Sequence, residues 1–405
     1  MKVTNVEAIP LNPRLTSRNA DQKPRFAAID TQTLFKVTTD NGITGYGDTR
    51  GHYSLTQAEV GDLVDRSPFD FVNGTLNAGL MGALYDAMGK HLEVPAYKLM
   101  GQKVRDRVPV AAWTRPASPD DLALEVQRAT AEGYMIFKMH TCQHYDVLEQ
   151  SRAVEAVAPN GFRMQYDFNH NRVSTDVLRL VQELEKSPTV GFLEDPLNWR
   201  DIDGWRRLRE KTFIPLVMHV PQLGGGPEII NGCADLYMIG ETGSVGGALR
   251  RGQTCAEANL SCVVQMTGGT LTKALALHIA AVVPNVSHTV NLDDQCEQDA
   301  TGTRIEIVEG CSPVPEAAGL GYEVDEEMVK RLAGNPQTEI PRHIGVLHLA
   351  AGHKLYTIGF PDVSRLTGFS EGQIRELNLE VWEDDGSPEF ARRYSQLQSA
   401  GSVIE

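Results

Sequence analysis

Two hydrophobic periods divide this chain. From Arg107 onward, apolar runs at 107–113, 134–139, 162–166, 189–193, 213–218, 235–239, 261–266 and 286–291 alternate with segments of helical period such as LALEVQRATAEG, VLEQSRAVEAVA and VLRLVQELEK. Short apolar runs separated by amphipathic helices are the pattern of a parallel sheet buried on both faces. Eight such runs are enough to close a barrel. Helix starts are marked by Ser118-Pro119-Asp120-Asp121 and Ser174-Thr175-Asp176, whose side-chain oxygens can satisfy first-turn amides.

Ahead of the barrel the period changes. TQTLFKVTT and ITGYGDT flank Asn41-Gly42, a strong hairpin signal, and a long helical pattern, GLMGALYDAMGKHLEVPAYKLMG, follows. An α/β chain is therefore expected, with a separate N-terminal α+β domain over 1–106 and the barrel over 107–308. Residues 309–335 read as a loop and a short helix. Residues 336–405 mix Pro-rich turns with a polar, acidic, helix-like tail, read as an oligomer contact or a strap over the barrel.

Charge narrows the partners. A net charge of −15 with no basic block repels nucleic acid and anionic membranes. The N-terminus lacks an apolar core of signal-peptide length, and no stretch reaches the ~18 apolar residues of a membrane span, so a cytoplasmic protein is expected. The six cysteines show no CxxC or zinc spacing, which predicts reduced thiols.

The polar residues that close the strands are unusual. Lys138-x-His140, Asp167-x-Asn169, Glu194-Asp195-Pro196 and His219 each end an apolar run, and Lys138, Asp167, Glu194 and His219 follow one another at intervals of 29, 27 and 25 residues. That spacing puts all four at the carboxyl ends of consecutive strands. In a barrel of this kind those ends converge on one mouth, where active sites sit.

At this point the chain resembles the enolase superfamily, in the branch of mandelate racemase and muconate lactonizing enzyme. The stretches that carry the resemblance are ALYDAMGKHLEVPAYKLMGQKVRDRVPV, GYMIFKMH, YDFN, FLEDPLNW, SVGGALRR, ALALHIAAVVPN and GLGYEVDEE, which together span roughly residues 1–335. The resemblance implies a modified (β/α)8 TIM barrel with an N-terminal α+β capping domain, on which the return segment 309–335 packs. It also implies one Mg2+ per subunit, a small-molecule carboxylate substrate, a homo-oligomer, and abstraction of the proton next to the carboxylate. Removing such a proton builds a second negative charge, which a metal ion and preorganised cations can stabilise.

The resemblance also assigns residues. Asp167 and Glu194 match the first two metal ligands. The place of the third, usually acidic, is held by His219 in IPLVMHV, where metal ligand, substrate hydrogen-bond donor and structural residue are all open. His140 stands at the base position, with Lys138 beside it to contact the substrate carboxylate. The far wall carries no Lys or His at the ends of strands six and seven, Gly240-Glu241-Thr242 and Gln265-Met266-Thr267, which favours a one-base reaction; Glu241 is a candidate second acid. Asn169 and Asp293 are candidate contacts to substrate. Two N-terminal loops, about 13–27 and 48–54, would read the substrate's far end, with Arg14, Arg18, Lys23 and Arg25 making the first locally basic. His144 reads as a loop residue and His278 as packed or surface. The function implied is an acid-sugar dehydratase, a hydro-lyase. The alternatives are a cycloisomerase, an epimerase, a hydroxyproline-type dehydratase, or a barrel that binds carboxylates without catalysis.

Overall fold

The computed structural model describes residues 1–22, 30–142, 144–170, 172–337, 339–349, 352–359 and 378–405. The chain opens with three antiparallel strands, β1 (Val3–Leu11), β2 (Gln32–Thr39) and β3 (Thr44–Arg50), in that spatial order. Asn41-Gly42 makes the β2–β3 turn, with Gly42 at φ 83° and the Thr39 amide donating to the Ile43 carbonyl at 3.0 Å. The helix Ala78–Leu92 lies against β3 backbone to backbone. A methyl at Gly47 would stand 2.1 Å from the Gly79 carbonyl oxygen, and one at Gly45 2.1 Å from that of Ala83, so only glycine admits this contact. Near its end β3 reaches the barrel. Asp48 accepts from the amides of Gly269 and Thr272 at 3.0 Å each and caps the helix Thr270–Val282.

Eight parallel strands follow: β4 (Arg107–Thr114), β5 (Ile136–His140), β6 (Arg163–Asp167), β7 (Val190–Glu194), β8 (Leu216–Met218), β9 (Leu236–Gly240), β10 (Ser261–Gln265) and β11 (Val286–Val290). Each pairs with the next, and β11 returns to β4 through Thr289↔Val110 and Val290↔Ala111, closing the barrel. Alternation along the strands sorts the side chains. Phe137, Met139, Tyr166, Leu193, Leu216 and Tyr237 belong to the large core shared with the helices, whereas Ala111, Trp113, Val217, Leu236, Met238, Val263 and Val290 form a smaller core of their own. Lys138, Gln165, Glu194, Gln265 and His288 are the buried polar residues on the inward side. Register keeps strand ends level: His140 lies beside Asp167, and Asp167 beside Glu194.

After the barrel, β12 (Cys311–Pro313) adds antiparallel to the start of β4, and the helix Glu326–Gly334 returns to the N-terminal sheet, where Lys36 pairs with Glu326 at 2.7 Å. The last stretch departs from the sequence expectation of turns and a helix-like tail. It forms four antiparallel strands, β13 (His343–His348), β14 (Lys354–Ile358), β15 (Asn378–Glu383) and β16 (Ser402–Ile404), ordered β15-β13-β14-β16, followed in the chain by only one helix, Pro388–Ala400, which precedes β16. Strands this short carry too few alternations to outweigh the prolines and charges around them. Ile344 and Val346 pack with Phe390 and Leu397 of that helix, while Leu347, Leu355 and Leu379 pack with Cys142 and Tyr145 of the barrel. All six cysteines are free thiols. Among the described residues no helix is long and apolar enough to cross a membrane.

Candidate active site

Inward side chains at i and i+2 of β5 through β8 build the site. Lys138 is 1% exposed, and its ammonium lies 2.7 Å from Glu194 Oε2, 3.2 Å from Asp167 Oδ2 and 2.8 Å from Gln265 Oε1. It ties three strands together beneath the mouth. Gln165 donates from Nε2 to Glu194 Oε2 at 2.6 Å and accepts from His288 Nε2 at 2.7 Å, so each buried carboxylate oxygen of Glu194 has a donor.

His140 sits one level higher and is 30% exposed at its side chain. Its Nδ1 donates to Asn169 Oδ1 at 2.9 Å and lies 3.4 Å from Asp167 Oδ2, with the Trp113 ring edge-on at 5.6 Å. The chain leaves β6 and β7 sharply, with Asn169 at φ 52° and Asp195 at φ 45°, and the first of these turns carries the Asn169 amide back over His140. Bonding at Nδ1 leaves Nε2 as the accepting nitrogen.

On the next strand, His219 stands between two carboxylates, with Nδ1 3.3 Å from Glu194 Oε1 and Nε2 3.0 Å from Glu241 Oε2. Gln265 also donates to Glu241 Oε2 at 2.8 Å. Burial works against charge here, and the neighbours overcome it. Desolvation would lower the Lys138 ammonium, but Glu194 and Asp167 raise it above its ordinary value. Desolvation would raise Glu194, but Lys138 and His219 hold it below the usual carboxylate range. In the same way His219, against burial, is lifted to about 10 by Glu194 and Glu241, and Glu241 is held down to about 2 chiefly by His219. Asp195 is the exception: burial, then the charges of Asp167 and Glu194, push it up to about 8.

That last shift is the mark of a site with more negative charge than Lys138 neutralises. Glu194, Asp195 and His219 offer ligand atoms within 4.8 Å of one another. Two carboxylates and an imidazole suit a divalent cation, and a cation there relieves the crowding that protonates Asp195. The fit is thus chemical as well as geometric.

The mouth continues beside Glu241 into a cavity of about 280 Å3 lined by Thr49, Arg50, Asn77, Ser244 and Thr267 among others. Arg50 and Thr49 come from the N-terminal loop 48–54.

Of the sequence candidates, Lys138, His140, Asp167, Asn169, Glu194, His219 and Glu241 are brought together. Asp293 is not with them: it is buried in an ion pair with Lys273 at 2.9 Å. Arg14 lines a different cavity, of about 200 Å3, with Glu297, Arg331 and Asn335. The side chain of Arg18, and Lys23 and Arg25 entirely, lie outside the described residues. His278 is fully buried in its helix, with Nε2 donating to the Leu320 carbonyl at 3.2 Å. Sequence reasoning passed over Gln165, Gln265, His288 and the side chain of Asp195. The first was legible as the inward residue two before Asp167; the others needed the closed barrel.

Comparison with known proteins bears on this arrangement. The family described as enolase C-terminal domain-like matches residues 121–328. A protein named D-galactonate dehydratase from Variovorax paradoxus (strain S110) is 30% identical over 45% of this chain, a match that spans only 56% of the relative's own length. Another of that name, from Xanthomonas euvesicatoria pv. vesicatoria (strain 85-10), is 27% identical over 75% of this chain and 91% of its own. Among solved structures, an N-succinyl Arg/Lys racemase from Bacillus cereus ATCC 14579 superposes with a TM-score of 0.68 at 22% identity, covering 83% of this chain and 99% of that one. A mandelate racemase/muconate lactonizing family protein from Azoarcus sp. EbN1 gives 0.66 at 22%, covering 84% and 99%. At such identities the structures speak for the fold alone.

Proposed function

Because the chain belongs to the enolase superfamily, through the match of its residues 121–328, we propose that it is a metal-dependent acid-sugar dehydratase that removes the proton α to a carboxylate and expels the β-hydroxyl. The observation that carries the reading is the linkage of four consecutive strand ends, His140 to Asp167 to Lys138 to Glu194 to His219, through contacts of 3.4 Å or less. The relatives' name supplies the substrate class. The polar cavity beside Glu241, with Arg50 on its wall, suits a polyhydroxylated chain.

Each side chain has a task in this reading. Glu194, Asp195 and His219 would hold Mg2+, which supplies positive charge against the charge that develops as the α-proton leaves. Lys138 keeps Glu194 and Asp167 ionised and fixes their orientation. Glu241 takes the Nε2 hydrogen of His219 and so turns Nδ1 toward Glu194, as an outer carboxylate commonly does for a metal-binding histidine. That engagement takes Glu241 away from acid catalysis. His140, with Nδ1 bound to Asn169, accepts the α-proton at Nε2 and becomes an imidazolium. It then returns that proton to the departing β-hydroxyl, which leaves as water, and the enol tautomerises to a 2-keto-3-deoxy acid.

The test is a panel of acid sugars, galactonate among them, incubated in D2O with the Mg2+-loaded protein and followed by NMR. Formation of a 2-keto-3-deoxy acid, lost in His140→Asn, is the expected result. Deuterium exchange at the α-carbon without elimination would replace the dehydratase with an epimerase. Ligand binding without exchange or turnover would leave a non-catalytic carboxylate-binding barrel.

A further inference from the structure

The segment that follows the candidate base is held by a part of the chain outside the family match, which ends at residue 328. From His140 the backbone runs on to Thr141, whose amide donates to the Asp167 carbonyl at 2.8 Å and whose hydroxyl donates to the same oxygen at 3.1 Å. At the far end of the loop, Asp146 accepts from the Leu148 amide at 2.9 Å and starts the helix Val147–Glu155. Between these two anchors, Cys142 and Tyr145 are 9% and 4% exposed because Leu347, Leu355 and Leu379 lie on them. The C-terminal sheet is therefore apolar on both faces, and each face is committed. Ile344 and Val346 meet the module's own helix at Phe390 and Leu397, while the leucine face has the barrel loop as its partner. The first contact, Cys142, is two residues from His140.

We propose that the C-terminal module is a positioning element for the base: the Leu347, Leu355 and Leu379 face braces residues 141–146 and through them fixes the His140 imidazole against Asn169. The inference rests on the reading of His140 as the base. A strand-end loop has few contacts of its own in a plain barrel and is the natural place for mobility. Three buried leucines remove that freedom at the point where the reacting nitrogen must be placed to within a fraction of an ångström. Leu347, Leu355 and Leu379 are positioning residues, since they touch the loop and not the substrate.

The test compares two truncations in the full-length protein. Leu379→Ala thins the face on the barrel loop, and Leu397→Ala thins the face under the module's helix. Leu379→Ala is expected to lower kcat roughly 10- to 100-fold with KM and Mg2+ affinity little changed, while Leu397→Ala lowers only the melting temperature. A second readout does not need turnover. In 15N-histidine NMR spectra, with the His140 signals assigned by their loss in His140→Gln, the Nδ1–H tautomer signature should broaden or switch in Leu379→Ala and persist in Leu397→Ala. Should Leu379→Ala fail to fold, Leu379→Val takes its place. Equal kcat loss in the two variants, or a His140 signature unchanged in the leucine-face variant, would overturn the brace. A protein that turns over no acid sugar while its His140 signature still responds would sink the base assignment and leave the brace standing.

Discussion

Lys138 shows how much one inward side chain decides. Its ammonium is the shared partner of Glu194 and Asp167 in a site closed to water, so Lys138→Met should strand a buried carboxylate and cost about 3–5 kcal/mol. Urea denaturation would show it, and a cost near zero would mean that water or a metal ion already does the work assigned to Lys138. His140→Asn is expected to behave in the opposite way, with stability nearly unchanged and turnover lowered about 10²–10⁴-fold. His278 gives a pH signature separate from the site. Burial pushes its imidazole from 6.5 down to about 4, so the folded protein holds it neutral. Its contribution to stability is complete above the unfolded value and is lost as the pH falls from about 6.5 to about 4, where the unfolded chain binds the proton first. His278→Gln keeps a donor for the Leu320 carbonyl and cannot charge. The variant should lose less stability than the parent between neutral and acid pH in paired denaturation curves, and equal losses would count against the assignment.

Among the elements, the strands were the legible part. Period two along IFKMH and RMQYD puts Lys138 with His140, and Gln165 with Asp167, on the inward side, so most of the site could be read before any coordinates. What could not be read depends on turns and on distance. Gly240 at φ 109° swings Glu241 off the end of β9 toward His219, a direction that strand alternation does not supply. Asp293 looked like a mouth residue because it follows β11, yet Lys273 on the preceding helix claims it. The joint between β3 and the barrel was equally silent in the sequence. Asp48 caps a helix more than two hundred residues away, and Asp48→Ala should leave the amides of Gly269, Leu271 and Thr272 unpaired at a cost of about 2 kcal/mol or more. A melting curve measures that loss. Gly47→Ala is expected to be harsher, because the added methyl meets the Gly79 carbonyl and the helix Ala78–Leu92 must move away from β3.

For the molecule as a whole, the metal is the strongest lever on stability. An ion that binds the folded protein alone raises its stability by about 2.7 kcal/mol at a hundred times its dissociation constant. Mg2+ should therefore raise the melting temperature of metal-stripped protein, and the rise should vanish in Glu194→Gln; a shift that survives that change would place the ion elsewhere. Barrel closure has a consequence of another kind, in time. β4 is the first barrel strand to leave the ribosome, yet its two neighbours beyond β5 are β11 and β12, which lie some 170 to 200 residues later in the chain. Until both arrive, β4 presents an open edge of unpaired amides in a growing chain. Such edges recruit other chains. Pulse-labelled hydrogen exchange during refolding should find the amides of β4 that face β11 and β12 among the last in the barrel to gain protection, and chains truncated before residue 286 should aggregate where the complete chain stays in solution.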